Sequence, residues 1–229
     1  MKKLVLVILL LSGVSLVSVK AQSVHVSTEK TTAGKEKSEK KLEVTGGIKL
    51  EANYANFVHS GISEGKSKMK PGTTMGGFLN VRISEHFSIQ GEMLFHFKES
   101  DFDWESHQKS SFQYWGAEIP IYAMYHWEIK KSRYIHIGIG PYTEFGFSAK
   151  LEKDGIKSDL YNKDRTTGIP IMRDSNSGFG ILIGYEFPCR LQMNAGYKLS
   201  ISNLLDGNSG SVQLHPQTLS IGLAYRFGN

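Results

Sequence analysis

Cysteine is all but missing from this chain of 229 residues: Cys189 stands alone. No internal disulfide can form, and a small secreted fold stapled by bridges is excluded. Long apolar runs are missing too. After the first twenty residues no segment holds the ~18 unbroken apolar residues that a spanning helix requires. A hydrophobic fraction of 40% is also low for a helical membrane bundle. An excess of one charge is equally absent. The formal net charge is +5, but Lys2, Lys3 and Lys20 lie in the leading segment; without them 24 basic residues face 22 acidic ones. No stripe of the kind that grips nucleic acid is present, so a nucleic-acid partner is excluded.

What is present begins with Lys2 and Lys3 ahead of an apolar run from Leu4 to Val19, broken by Ser12, Gly13, Ser15 and Ser18. Val19-Lys20-Ala21 then offers small residues at the two positions a signal peptidase inspects. Residues 1–21 are expected to be a signal peptide cut after Ala21. The four breaks speak against an uncleaved anchor helix, and no cysteine follows the run to carry a lipid. Residues 22–41 interleave five lysines with Glu29, Glu36 and Glu39 and offer nothing to bury. They read as a disordered, charged periplasmic linker. A short helix supported by Glu36 and Lys40, four apart, is the alternative.

From Leu42 onward the hydrophobic period is two. Expected strands lie near 42–56, 73–84, 86–98, 112–128, 133–150, 177–187, 190–203 and 216–227. The last is the cleanest: Leu219, Ile221, Leu223, Tyr225 and Phe227 point one way, Thr218, Ser220, Gly222, Ala224 and Arg226 the other. Connections alternate in length. Ser84–His86, Glu128–Ser132 and Pro188-Cys189 are short, whereas 57–72, 99–111, 151–176 and 204–215 are long and polar. Short periplasmic turns and long outer loops mark outer-membrane barrels. Residues 42–229 are therefore expected to form an all-β, eight-stranded, antiparallel up-and-down transmembrane barrel, a monomer in the cell outer membrane.

Inside the strand ends, the apolar parity carries no charge on any of the eight strands. A charge on the lipid face near mid-membrane costs roughly 2–4 kcal/mol, so that silence is informative. Aromatics gather at strand ends on the same parity, forming two belts: Phe87, Tyr125, Trp127 and Tyr225 among those at the inner rim, Tyr54, Phe97, Trp115 and Phe145 among those at the outer. A soluble ligand-binding barrel also has one apolar parity, turned inward. The glycines of the opposite parity, including Gly47, Gly140, Gly184 and Gly222, favour a crowded interior there, and so the membrane reading.

That polar parity holds Glu51, Glu92, Glu118, Glu144 and Glu186 against Lys49, Arg82, Arg190, Lys198 and Arg226. Buried charges must be paired, so a ladder of ion pairs is expected to plug the lumen. Paired carboxylates could also catalyse, but structural pairing is the simpler account. His126, His136 and His96 share this face and read as hydrogen-bonders; His136 and Glu144 lie roughly 27 Å apart along one strand and cannot form a dyad. Ser110, Ser148, Ser202, His59, His96 and His215 are candidate pieces of a catalytic site at the outer rim. No local signature joins them, so no catalytic, cofactor or metal residue is assigned. Gly138-Ile139-Gly140-Pro141 and Gly178-Phe179-Gly180 lie inside strands with no helix following, which excludes a phosphate cradle. Glu99, Asp101, Asp103 and Glu105 could attract a divalent cation but read better as solvated loop charge. Lys66, Lys68 and Lys70 are expected to touch lipopolysaccharide phosphates, outer-membrane lipid being the expected surroundings.

Ala117-Glu118-Ile119-Pro120-Ile121-Tyr122, Gly138-Ile139-Gly140-Pro141-Tyr142 with Ser148-Ala149-Lys150, Phe179-Gly180-Ile181 through Gly184-Tyr185, Gly196-Tyr197 with Asn203-Leu204, and Gly222 to Phe227 resemble successive strands of the PorT-like outer-membrane β-barrel family of Bacteroidota. The resemblance covers roughly 42–227 and its motifs are architectural. It implies an eight-stranded barrel with no set ligand or active site, and some members are linked with protein secretion. The expected role is structural or surface-interacting, without catalysis. The alternatives are an accessory of a secretion complex, with the basic turn Lys130-Lys131-Ser132-Arg133 as a contact, a lipid- or peptide-modifying enzyme, and a soluble periplasmic ligand-binding barrel.

Overall fold

A computed structural model of the chain describes residues 42–60, 66–103, 109–153, 156–162, 172–202 and 213–227. The expected signal peptide and linker lie outside the described residues. Ten strands follow in order: β1 (Glu43–Ser60), β2 (Lys66–Met69), β3 (Pro71–Arg82), β4 (Phe87–Asp103), β5 (Lys109–Lys130), β6 (Arg133–Lys153), β7 (Ile156–Asp159), β8 (Ser175–Glu186), β9 (Leu191–Ser200) and β10 (Gln213–Phe227). Eight of them pair antiparallel in the order β1-β3-β4-β5-β6-β8-β9-β10. β10 returns to β1, with Gly47 opposite Arg226 and Asn53 opposite Ser220, and the ring is shut. Closure leaves no strand edge facing hydrocarbon, the condition for backbone to cross a bilayer.

The two extra strands are short additions. β2 pairs with the far end of β4, and β7 with the far end of β6. Both fall where the sequence suggests loop, in 57–72 and 151–176. At the outer end β1, β4, β5, β6 and β10 also outrun their expected bounds, by four residues in β1, five in β4 and three each in β5, β6 and β10, and β5 runs two residues further at its other end. The physical reason is that hairpin partners keep the ladder going above the membrane, where no lipid demands alternation.

Two local irregularities shape the wall. Trp115 faces Ser148 while Gly116 faces Gly146, leaving Phe147 as the extra residue of a bulge. The β4·β5 ladder is interrupted, with its register unchanged, between Gly91·Ile121 and Leu94·Glu118, where Pro120 has no N–H to give it. Two of the three short turns on the terminal side use a left-handed residue, Ser132 (φ 60°) and Arg190 (φ 66°). Arg190 therefore sits in the β8–β9 turn and not on the lumen face expected of it.

The faces are decided by burial. Ile48, Leu50, Met75, Ile121, Ile139, Ile181, Ile221 and Leu223 stand exposed around the outside, while Lys49, Glu51, Glu92, Glu118, Glu144 and Lys198 are buried within. A soluble ligand-binding barrel would turn the apolar parity inward, so that alternative is overturned. An apolar patch of more than a few hundred Å² needs a covering, and here it girdles the barrel. Aromatic contacts sharpen its borders: Phe87–Tyr125 at 4.8 Å, Tyr125–Trp127 at 4.4 Å and Tyr185–Phe187 at 4.8 Å on the inner rim, Phe97–Trp115 at 4.8 Å on the outer. Ring side chains of this kind settle at the headgroup level.

Candidate functional site

The interior is an extended assembly of polar side chains, and the period of two places those that lie on the barrel strands. At the inner end, Arg226 of β10 donates from Nε to Glu186 of β8 at 3.1 Å, and Gln192 donates to the same carboxylate at 2.8 Å. Beside them Ser88 and His126 Nε2 are 2.8 Å apart, and Asn80 donates to Ser88 at 2.9 Å and to Gln90 at 3.1 Å. Gln90 passes the chain on to Glu92 at 2.7 Å. Lys49 then holds Glu92 at 3.0 Å and Glu51 at 3.1 Å. His136 meets Asn194 at 2.8 Å. Gly184 lies under that pair: a Cβ there would collide with both side chains.

Midway, Lys198 of β9 reaches across the lumen to Glu118 of β5. At the outer end Lys98 donates to Glu144 at 2.8 Å, and His96 Nε2 lies 2.9 Å from the same carboxylate with its ring stacked on Tyr114. Lys98 is a lumen cation that the sequence reading passed over, although its parity with Glu92 and His96 marks it. The filling is not purely ionic. Tyr122, Met124 and Leu182 form an apolar layer in mid-lumen. Above Glu144 a second cluster, Phe112, Tyr114, Ala149 and Met172, packs with Leu151, Leu160 and Tyr161. Tyr161 reaches this cluster from beyond β7, and its hydroxyl occupies the space a side chain on Gly146 would need. Burial pushes the Tyr161 phenol above the ordinary tyrosine range. At the opposite end a cavity of about 20 Å³ is lined by Glu43, Thr45, Arg82, His126, Glu186 and Arg226, room for about one water.

The candidate pieces of a rim catalytic site are not brought together. His96 has an acid beside it, and that acid is shared with Lys98. Ser148 stands opposite Trp115 and Ser110 opposite Phe102 and Lys153. Ser202 donates to the Ser177 carbonyl at 3.4 Å. His59 faces Leu214, and His215 faces Val58. Among the described residues, no group of three or more His, Cys, Asp or Glu could hold a metal ion. The acidic and basic loop residues face each other in register: Lys66 opposite Asp103, Lys68 opposite Asp101. Lys70 Nζ lies 3.5 Å from Glu99.

A shut antiparallel ring, a greasy exterior between aromatic belts and an ion-paired interior are the marks of a transmembrane β-barrel. The model for the outer membrane protein beta-barrel domain matches residues 21–206. The chain belongs to that family. Its fold is shared with solved barrels at low identity. OprG from Pseudomonas aeruginosa is 12% identical, with 82% of this chain and 96% of that one covered and a TM-score of 0.50. Ail, the attachment invasion locus protein of Yersinia pestis, is 14% identical over 80% and 97% of the two chains, with a TM-score of 0.42. Neisserial surface protein A is 14% identical with the same coverage and a TM-score of 0.41. No curated protein matches the chain. These findings put this family member in the outer membrane as a β-barrel.

Proposed function

We propose that this barrel is a surface-interaction protein whose lumen is structural filling and whose working part is the tall wall formed by β4, β5 and β6. The carrying observation is strand length. β5 has 22 residues and β6 has 21, against 12 in β8 and 10 in β9. At ~3.3 Å per residue and a tilt near ~40°, ten residues rise roughly 25 Å, the height of the apolar band. β5 rises roughly 55 Å on the same terms. The surplus, widened by β2 and β7, is a sheet held above the cell surface with no lipid to meet.

Photo-crosslinkers placed at Ser111, Ser158 and Ile201 in intact cells test this. Capture of protein or surface polysaccharide at Ser111 and Ser158, with none at Ile201 on the short wall, supports it; equal or absent capture refutes it. Filling of the lumen adds a second expectation: planar bilayers containing the purified chain carry no steady large single-channel current. The motif resemblance favours a PorT-like member that is a monomer without enzymatic activity. An accessory role in secretion is the second reading, favoured by the exposed cations of the β5–β6 turn, and it expects large partners to co-purify after detergent extraction.

A further inference from the structure

The short turns of the barrel are not alike. The β3–β4 connection is Ile83-Ser84-Glu85-His86, and the β8–β9 turn carries one cation, Arg190. The β5–β6 turn carries Lys130, Lys131 and Arg133, all exposed, and none of the three has an ion pair among the described residues. The acid nearest in sequence, Glu128, is occupied in closing the turn: its carboxylate accepts the Ser132 N–H at 3.2 Å. This hairpin also projects. On one side the pairing with β4 ends where His126 N–H meets the His86 carbonyl, and on the other β6 meets β8 only from Tyr134. Residues 127–133 thus stand clear of the rim.

Their outer face is apolar and continuous with the lipid-facing belt. Trp127 is 47% exposed, and Ile129, the extra residue of a bulge between Glu128 and Lys130, is 52% exposed. An isoleucine held outward beside Lys130, with Lys131 and Arg133 across the turn and Glu128 turned to the Ser132 N–H, matches one environment, the border between acyl chains and phosphates. We propose that the β5–β6 hairpin is a docking site for anionic phospholipid headgroups of the periplasm-facing leaflet, with Lys130, Lys131 and Arg133 on the phosphate and Trp127 and Ile129 against the glycerol and upper acyl border at the headgroup level. The inference rests on the short turns facing the periplasm, as they do in barrels of this kind. A basic residue near an anionic surface gains at most about fivefold; with Glu128 in the same hairpin and salt screening the turn, the net preference expected from the three cations is about three- to tenfold.

The test uses the full chain with Trp104→Phe and Trp115→Phe, so that Trp127 is the sole tryptophan. It is reconstituted in vesicles of brominated phosphatidylglycerol or brominated phosphatidylethanolamine and mixtures with their unbrominated forms. The quenching ratio is expected to show a phosphatidylglycerol preference of about three- to tenfold at Trp127. The preference should collapse to unity in Lys130→Gln/Lys131→Gln/Arg133→Gln, and in the parent at high salt. Equal quenching by the two lipids, or a preference that survives the triple substitution, overturns the proposal. So does cross-linking of a protein, and not lipid, from position 129 in cells. Absence of quenching by either lipid would instead sink the membrane reading itself. Heat-modifiable mobility of each variant on unboiled gels confirms that it has folded.

Discussion

Two walls of one barrel obey different rules. On the short side, β8 and β9 have 12 and 10 residues, and nearly every residue alternates cleanly between exposed and buried. On the tall side, β4 to β6 run for 17, 22 and 21 residues. Both walls carry the same bare lipid face in the membrane band, with Ile181 and Ile183 on one and Ile119 and Ile121 on the other. The difference begins above that band, where hydrocarbon no longer sets which side chain may face outward and only the next strand holds the chain in place. The short wall is therefore a membrane element and nothing more. The tall wall is a membrane element with a sheet built on its end.

The largest expected effect comes from cutting the link between the walls. Lys198 on β9 and Glu118 on β5 meet across the lumen, each with a side chain almost wholly withdrawn from solvent. Removing one partner leaves the other charged, buried and alone. Glu118→Ala is expected to destabilise the barrel by about 3–5 kcal/mol, whereas Glu118→Leu/Lys198→Met, which removes both charges at similar volume, restores most of that loss. Denaturant titration in micelles, followed by the heat-modifiable gel shift, reads both. A double variant as weak as the single one would show that the pair does more than satisfy itself.

Next in size are charges pushed onto the outer face. Ile121→Arg on the tall wall and Ile181→Arg on the short wall should each cost about 2–4 kcal/mol in folding into vesicles. Ser158→Arg, on β7 above the band, should stay within about 0.5 kcal/mol of the parent. If Ser158→Arg costs as much as Ile121→Arg, the upper sheet lies in lipid and the distinction between the walls fails.

The same boundary explains what the sequence made legible. Inside the band every lumen carboxylate follows from parity, from Glu51 to Glu186, because one misplaced charge would meet hydrocarbon. Strand ends on the short wall fall within about three residues of their expected places. On the tall wall β2 and β7 are invisible in advance, since four-residue segments such as Lys66–Met69 have no apolar face to betray them. Arg190 misleads because alternation cannot tell the first residue of a strand from the last of a turn with positive φ. Lumen contacts such as Lys198 with Glu118 are separated by 80 positions, and no local spacing encodes which strand lies opposite. Tyr161 over Gly146 depends on a loop folding back, which the period of a strand does not record.

That cap gives the third expectation, again contrasting the tall wall with the bare short one. Gly146→Ala places a methyl where the Tyr161 phenol now sits and should cost about 1–3 kcal/mol through overpacking. Tyr161→Ala should remove much of that cost, with a coupling of about 0.5–3 kcal/mol between the two sites. Protease cleavage within 151–176 should rise in Gly146→Ala while the membrane-embedded fragment stays intact. Additive effects would mean that the tyrosine does not depend on the glycine for its place.

The smallest effect belongs to the charges that flank the tall wall. Lys70 and Glu99 approach to 3.5 Å, yet the lysine side chain is 37% exposed and the glutamate 25%. Water and salt screen such a pair, and holding two long side chains in one geometry costs entropy, so Lys70→Ala should change stability by no more than about 0.2–1 kcal/mol. Its value is as a contrast with Glu118→Ala, because each substitution removes one partner of an ion pair and the two pairs differ sharply in burial. A loss at Lys70 approaching that at Glu118 would require the upper sheet to be closed to solvent, most simply by a partner seated on it, and repeating the measurement on detergent-purified and cell-embedded protein would separate these two cases.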